Sequence, residues 1–460
     1  MSTVKLAWRN LLRNRRRTIA TLGTMVVGVT ALLLFGGYNR TVEYGLQTSM
    51  VRADGHLEIQ QRDYFNYGDG NPAAYAIRDY QRVMRTVAND PVLKPMLTVV
   101  TPSLSLGGIA GHYAAGASRT VFASGVDVAG QNQLRQWNDY HFEDKSKPSA
   151  LTGTSQDSVV IGKGLARVLQ LCESGKEADC AGRPAAATDK NKPDMPADIQ
   201  ALADAAPKPV ADRSLELLAA SAGGAPNVAK LQVAKVKSMG VKQLDDMFIS
   251  MHLAAAQKLV YGAEPPRVTA ISLQLRHTSQ IPAAKARLNQ LFAASLKDQP
   301  LVVYDFTQLQ PQYGQITGMF GTIFGFLSVL IGCVALFTIA NTMNMVVLER
   351  TVEIGTLRAM GLRRRGIQRM FLCEGVMLGV AGSALGVLSG LIFAWLINHA
   401  GLTWLPPGQV DPSPIYVSLW GEGRLIGNTV LGLGLMAAVS AWWPARRAAR
   451  AVIVDALRHA

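Results

Sequence analysis

Residues 314–348 read GQITGMFGTIFGFLSVLIGCVALFTIANTMNMVVL, and the chain runs straight on into Glu349-Arg350-Thr351-Val352-Glu353. These thirty-five residues hold no charge. As one helix at about 1.5 Å per residue they reach about 52 Å, beyond the ~30 Å hydrocarbon core of a bilayer. A membrane span with a projecting stalk is therefore predicted. Working outward, three further uncharged runs are long enough to cross: Ile19–Tyr38, Gly375–Asn398 and Leu425–Pro444. The first exceeds the roughly 7–15 apolar residues of a secretory leader and lacks an A-x-A-like cleavage site, so it reads as an uncleaved anchor. Composition agrees: of 460 residues 49% are hydrophobic and 17% charged, against roughly 25% charged in a soluble domain.

The net charge of +14 invites three readings: nucleic acid, an acidic membrane surface, or an orientation marker. Its distribution decides. Residues 1–18 hold +6, residues 349–370 hold +4 and residues 444–460 hold +3, so nearly all of it flanks the apolar runs. Basic flanks mark the cytoplasmic side, which puts both termini and the 349–370 loop inside, and 39–313 and 399–424 outside. Three juxtamembrane clusters do not make the single basic face with stacking aromatics that nucleic acid needs, so no nucleic-acid partner is expected.

The fold class predicted is an α-helical membrane protein of four transmembrane helices with a large mixed α/β extracytoplasmic domain inserted between helices 1 and 2. In order, the chain reads as a basic amphipathic N-terminus (1–18), a span (19–40), the outer domain (41–313), a stalk and span (314–348), a cytoplasmic loop (349–366), a span (367–398), an outer loop (399–424), a span (425–444) and a cytoplasmic tail (445–460). Within the outer domain, residues 55–60, 158–161, 268–275 and 301–304 pattern as strands and 281–296 as an amphipathic helix. Residues 173–245 are rich in Ala, Lys, Asp and Pro with almost no aromatics, so 173–266 reads as a low-complexity insertion looped out of the domain.

Chemistry is sparse. No G-x-x-x-x-G-K-[ST], H-E-x-x-H or G-x-S-x-G motif occurs, so energised work would draw on a partner, and a catalytic chain is not expected. The seven histidines, at 56, 112, 141, 252, 277, 399 and 459, show no paired spacing and read as structural; no metal site is expected. Cys172 and Cys180 fall in the outer region, where they are either a local disulfide or two free thiols. Glycines recur at four-residue spacing in the spans, and the ladder Gly382, Gly386, Gly390 reads as a close helix-packing face. Glu374 precedes the third uncharged run and reads as a carboxylate in the first turn of an entering span. In Glu349–Gly361 two acids stand among arginines beside the membrane, which points to a surface for a partner; Arg350 can reach Glu353 at i+3.

The residues Asn341-Thr342-Met343 leading into Glu349-Arg350, then Glu353-Ile354-Gly355-Thr356-Leu357-Arg358-Ala359-Met360-Gly361, Glu374-Gly375, Pro444-Ala445-Arg446-Arg447-Ala448-Ala449 and Ala456-Leu457-Arg458 together resemble the FtsX-like permeases of the MacB and LolC/LolE-type ABC transporter superfamily. The likeness is specific over the C-terminal 150 residues or so. It extends more loosely to Trp8-Arg9-Asn10-Leu11 with Arg13–Arg17, and to Gly55-His56-Leu57 and Val160–Ala166, which are similar to the lipoprotein-release branch.

The resemblance implies a non-catalytic permease in a bacterial inner membrane, paired with a second copy or a paralogue. Two copies of a separate ABC ATPase would hold the ATP and Mg. On this chain Glu349, Arg350, Glu353, Ile354, Gly355, Leu357, Arg358, Ala359 and Gly361 would form the coupling helix on which the ATPase acts. Motion would pass along the second helix to the outer domain, moving lipoprotein or another amphipathic cargo, with a periplasmic carrier or adaptor and membrane lipid as further partners. A MacB-like tripartite efflux permease and an FtsX-like regulator of a cell-wall hydrolase are the alternatives; the size of the outer domain argues against the last.

Overall fold

The computed structural model describes residues 13, 15–68, 70–142, 146–171, 213–405 and 412–450. They divide into two compact units: the described residues within 1–45, 312–404 and 413–460 form one, and those within 46–311 and 405–412 the other. The first helix, α1 (Arg15–Asp54), begins in the former and ends in the latter. It stops at Gly55, whose φ is +84° and where an added Cβ would stand 2.7 Å from the Leu273 carbonyl oxygen, so the position admits no side chain.

The second unit is built on nine strands. In chain order its main elements are β1 (Leu57–Gln61), α2 (Tyr80–Ala88), β2 (Leu97–His112), β3 (Ala117–Val126), α3 (Val128–Leu134), β4 (Ser158–Gly162), α4 (Lys163–Val168), β5 (Ser214–Ala220), β6 (Pro226–Lys237), β7 (Phe248–His252), α5 (Leu253–Tyr261), β8 (Ala270–Leu275), α6 (Ile281–Ala294) and β9 (Leu301–Asp305). The spatial order is β3-β7-β4-β6-β5-β2-β8-β1-β9, and β3 also pairs with β2, so the first six strands close on themselves. Pairings are antiparallel except β3 with β7 and β4 with β6.

Two cores result. Leu104, Val121, Ile161, Leu217, Leu231 and Met251 cluster within the closed set with Leu165 of α4 and Leu259 of α5. Ile59, Ile271 and Val303 cluster with Val83 of α2 and Leu288 of α6 on the β8-β1-β9 side. β2 serves both: residues 97–103 pair with β8, residues 103–112 with β3 and residues 108–111 with β5. An ion pair between a buried carboxylate and a partly exposed arginine supports the second core. Arg287 on α6 donates to the Asp90 carboxylate at 2.8 Å, holding that carboxyl below its ordinary range, and the Val92 and Leu93 amides donate to it at 3.0 Å each. His56 is fully buried; its Nδ1 accepts from the Leu275 amide at 3.0 Å, and burial pushes its pKa down to about 3, so it is a neutral structural residue.

One expectation is overturned here. Residues 173–266 are not wholly an insertion outside the domain, because 214–261 supply β5, β6, β7 and α5, the middle of the closed set. The reason is a period-2 pattern: Leu215, Leu217 and Ala219 are buried while Glu216, Leu218 and Ala220 are exposed. Cys172 and Cys180 lie outside the described residues.

The other unit continues with α7 (Pro311–Glu349), α8 (Thr351–Ala359), α9 (Arg364–His399) and α10 (Gly423–Arg450). Four helices, α1, α7, α9 and α10, are long and apolar enough to cross a membrane, with mean hydropathies of 2.1, 2.5, 2.1 and 1.6 over their best windows. At 39 residues α7 extends about 58 Å.

Candidate functional site

The residues that the sequence marks out meet where α7 gives way to α8. Regular helix is interrupted at Arg350, whose φ of −106° and ψ of 18° lie outside the α region, and resumes at Thr351 for nine residues. Gly361 closes this short helix: its φ is +95°, its amide donates to the Arg358 carbonyl, and the Leu362 amide donates to the Leu357 carbonyl, both at 3.0 Å. That double bond is a helix stop that favours glycine, so Gly361 shapes the turn rather than offering a surface. α9 then starts after Arg363, which adopts an extended backbone.

The elbow is seated on a small apolar cluster. Ile354 packs with Val346 and Val347 of α7, Ile367, Met370 and Phe371 of α9, and Ala445, Ala448 and Ala449 of α10. Gly355 is buried beside it, while Leu357 and Arg358 are half-buried. Val352, Thr356, Ala359, Met360 and Leu362 are exposed, Met360 to 71%. The nine-residue helix thus buries one side and shows solvent Val352, Glu353, Thr356 and Ala359, and the turn after it adds the apolar Met360 and Leu362.

Three ion pairs within the chain surround it. Arg17 of α1 grips Glu349 through both terminal guanidinium nitrogens, Nη1 and Nη2, at 2.9 and 2.7 Å. Arg13, two residues ahead of α1, donates to Glu353, which raises the Arg13 pKa from its ordinary value. Arg350 and Glu374 form an ion pair at 3.6 Å with side chains only 6% and 3% exposed. Two readings change accordingly. The partner of Arg350 is Glu374 and that of Glu353 is Arg13, so the i+3 pair gives way to contacts more distant in sequence. Glu374 stands three turns inside α9, not in its first turn, because that helix begins at Arg364.

The glycine ladder lies on another face of α9. Built-in Cβ atoms at Gly382, Gly386 and Gly390 would come within 2.8, 2.4 and 3.2 Å of Met25, Val29 and Leu33, which repeat on α1 with the same four-residue period. Thr30 reinforces the seam by donating to the Gly386 carbonyl at 3.3 Å and meeting the Ser389 hydroxyl. A second pair of glycines on α9 faces α10: Gly375 meets Ala441 and Gly379 meets Ala437. On α7 the glycines behave differently. Gly314, Gly318, Gly321 and Gly325 have nothing within 4 Å of a built Cβ, and the first three line a cleft of about 400 Å³ with Asn39, Arg40 and Glu43 of α1.

Among the described residues no group of three or more His, Cys, Asp or Glu is placed to hold a metal. The arrangement offers no nucleophile with a base and no phosphate cradle. What it offers is a rigidly seated short helix with an exposed apolar side. Sequence reasoning missed the contribution of Arg13 and Arg17 as partners of the two acids; the i, i+4 spacing of Arg13 with Arg17 and of Glu349 with Glu353 was the signal available.

Residues 325–453 match the FtsX-like permease C-terminal family. Over 248 residues the chain is 25% identical to the lipoprotein-releasing system transmembrane protein LolC of Neisseria meningitidis, covering 52% of this chain and 57% of that one. Over 220 residues it is 27% identical to the macrolide export ATP-binding/permease protein MacB of Rhodopirellula baltica, covering 46% and 29% respectively. The chain thus spans little more than half the length of the first of these relatives and less than a third of the second. The crystal structure of the periplasmic region of MacB from Actinobacillus actinomycetemcomitans aligns with 57% of this chain and 94% of its own at 10% identity, with a TM-score of 0.31.

Proposed function

Starting from an FtsX-like permease domain over residues 325–453, we propose that the chain is the membrane subunit of an ABC transporter in a bacterial inner membrane, driven by a separate ATPase. The observation that carries this reading is α8, whose buried side fixes it to three other helices while Val352, Thr356, Ala359, Met360 and Leu362 face outward. Such a helix is a docking ridge for a partner groove. The basic residues 349–370, with the other two basic segments, favour placing α8 and both termini in the cytoplasm and residues 46–311 on the far side.

In this reading the chain binds no nucleotide. Two ATPase subunits hold ATP and Mg, and their closure pushes α8. Since Arg350 alone separates α8 from α7, displacement of the ridge is delivered to a helix about 58 Å long. A second permease copy or a paralogue pairs with this one; the exposed apolar residues of α7, among them Ile323, Phe326, Leu330 and Phe337, suit that contact or lipid. The cargo is a lipoprotein or another amphipathic molecule, since the glycine-lined outer part of α7 and the absence of a charged path through the spans favour work at the membrane surface over conduction. MacB-like efflux uses the same ridge and differs in cargo and adaptor.

The test is a double substitution, Val352→Asp with Met360→Asp, in the full-length permease. Recovery of a P-loop ATPase with the membrane-extracted protein should fall at least about tenfold, as loss of roughly 1.4 kcal/mol or more of apolar burial requires. Undiminished recovery would show that the ATPase is held elsewhere.

A further inference from the structure

We propose that Arg13 and Arg17 are positioning residues that clamp the elbow between α7 and α8 to the start of α1, and so set the orientation in which α8 meets its partner. The inference rests on the docking reading of α8, but its geometry is independent of it. Arg13, Arg17 and Thr21 repeat at four-residue intervals, so they share one face of a helix. Their contacts descend in step on the opposing segment: Arg13 to Glu353, Arg17 to Glu349, and Thr21 Oγ1 to Thr342 Oγ1 at 2.9 Å. The break at Arg350 falls between the first two rungs. One rung therefore holds the last residue of α7 and the next holds α8, and two fixed points on either side of a joint determine its angle.

Arg350 itself turns the other way, toward Glu374 of α9 at 3.6 Å, so the joint is tied to two helices at once. This arrangement engages the acids of the 349–361 segment with the start of α1, although Glu349 and Glu353 keep 41% and 49% of their side-chain surface exposed. The face left for the ATPase is the apolar one, and Glu349 and Glu353 act on coupling through the angle of α8 and not by touching the motor. The rungs are unequal. Glu349 is bound by both terminal nitrogens of an arginine side chain that is 29% exposed, whereas Arg13 is 64% exposed, so the Arg17 rung carries more of the effect.

The experiment uses the full-length permease with its ATPase in lipid nanodiscs and compares Glu349→Arg, Arg17→Glu, the exchange of both, and Arg17→Lys. Each single reversal sets like charges against each other and should lower permease-coupled ATP turnover about fivefold or more, with KM for ATP unchanged and the ATPase still bound. The exchange should restore more than half of the turnover, and Arg17→Lys should lie nearest to the unaltered protein. A merely structural role would lower the amount of folded protein without this reciprocal rescue. An exchange no better than the worse single variant overturns the proposal, as does loss of ATPase binding in Glu349→Arg, which would make Glu349 a direct contact.

Failure of the docking reading is separable by a readout that needs no ATPase. Thr21→Cys with Thr342→Cys should form an intrachain disulfide under mild oxidation, faster than either cysteine alone gives any product, and Arg17→Glu should slow it severalfold. Crosslinking that ignores the charge at position 17 shows that the rungs do not set this seam, whatever the ATPase does.

Discussion

Two helices of the membrane unit carry glycines at nearly the same spacing and use them in opposite ways. On α9, Gly382, Gly386 and Gly390 are filled by Met25, Val29 and Leu33; on α7, Gly314, Gly318, Gly321 and Gly325 face open space. Spacing alone therefore does not say whether a small-residue face is in contact. What separates the two is the helix opposite. α1 presents side chains at a matching four-residue period to α9, together with the Thr30 hydroxyl, whereas it presents Gly36, Asn39, Arg40 and Glu43 toward the outer part of α7, where small and charged groups leave a cleft. In lipid, where burial gives helices little reason to associate, this difference in backbone approach separates a glycine face in close contact from one left uncrowded.

The largest effect that bears on the contrast is expected from Gly386→Leu. Its Cβ alone would stand 2.4 Å from that of Val29, so the seam must part, at about 3 kcal/mol, the upper range of overpacking. Thermal melting of the purified protein in detergent should show a lowered midpoint; an unshifted one would mean that α1 and α9 are not in this contact. Thr30→Val tests the polar part of the same seam. It removes the bond to the Gly386 carbonyl and the contact with Ser389, worth about 0.6–1 kcal/mol in a membrane helix pair, and should give a smaller downward shift in the same assay. Gly318→Leu closes the comparison from the other side. With nothing within 4 Å it should leave the midpoint within the ~0.5 kcal/mol typical of uncrowded positions, and a shift as large as that of Gly386→Leu would show the α7 cleft to be filled.

The sequence makes the membrane helices and the elbow legible for a plain reason: uncharged runs and helix stops act through neighbours in the chain. The span at 314–348 needed no tertiary information, although helix ends shifted, with α9 reaching back to Arg364, and Gly361, expected within the coupling helix, closes it instead. The strands β4, β8 and β9 are likewise local, being short apolar runs. Residues 214–237 were obscured by averaging composition over 173–245, which mixes the alternating Leu215, Leu217, Leu231 and Val233 with a polar stretch before them. β2 was hidden differently. Pro102 and the glycines at 107, 108 and 111 are strand-averse, and tertiary pairing on both edges overrides them. Least accessible were the charge partners of the elbow. Arg13 and Glu353 stand 340 positions apart, and a pairing pattern on one helix says nothing of which distant helix answers it.

The sharing of β2 between two cores bears on how the nine-stranded unit comes apart. Its N-terminal half is laddered to β8 and its C-terminal half to β3 and β5, and the backbone between them is continuous. Melting either lobe strips β2 of pairing over half its length and exposes apolar groups of the other. Neither lobe is then a unit that opens alone, and slow amide exchange should rise together on both sides of the strand, as one event.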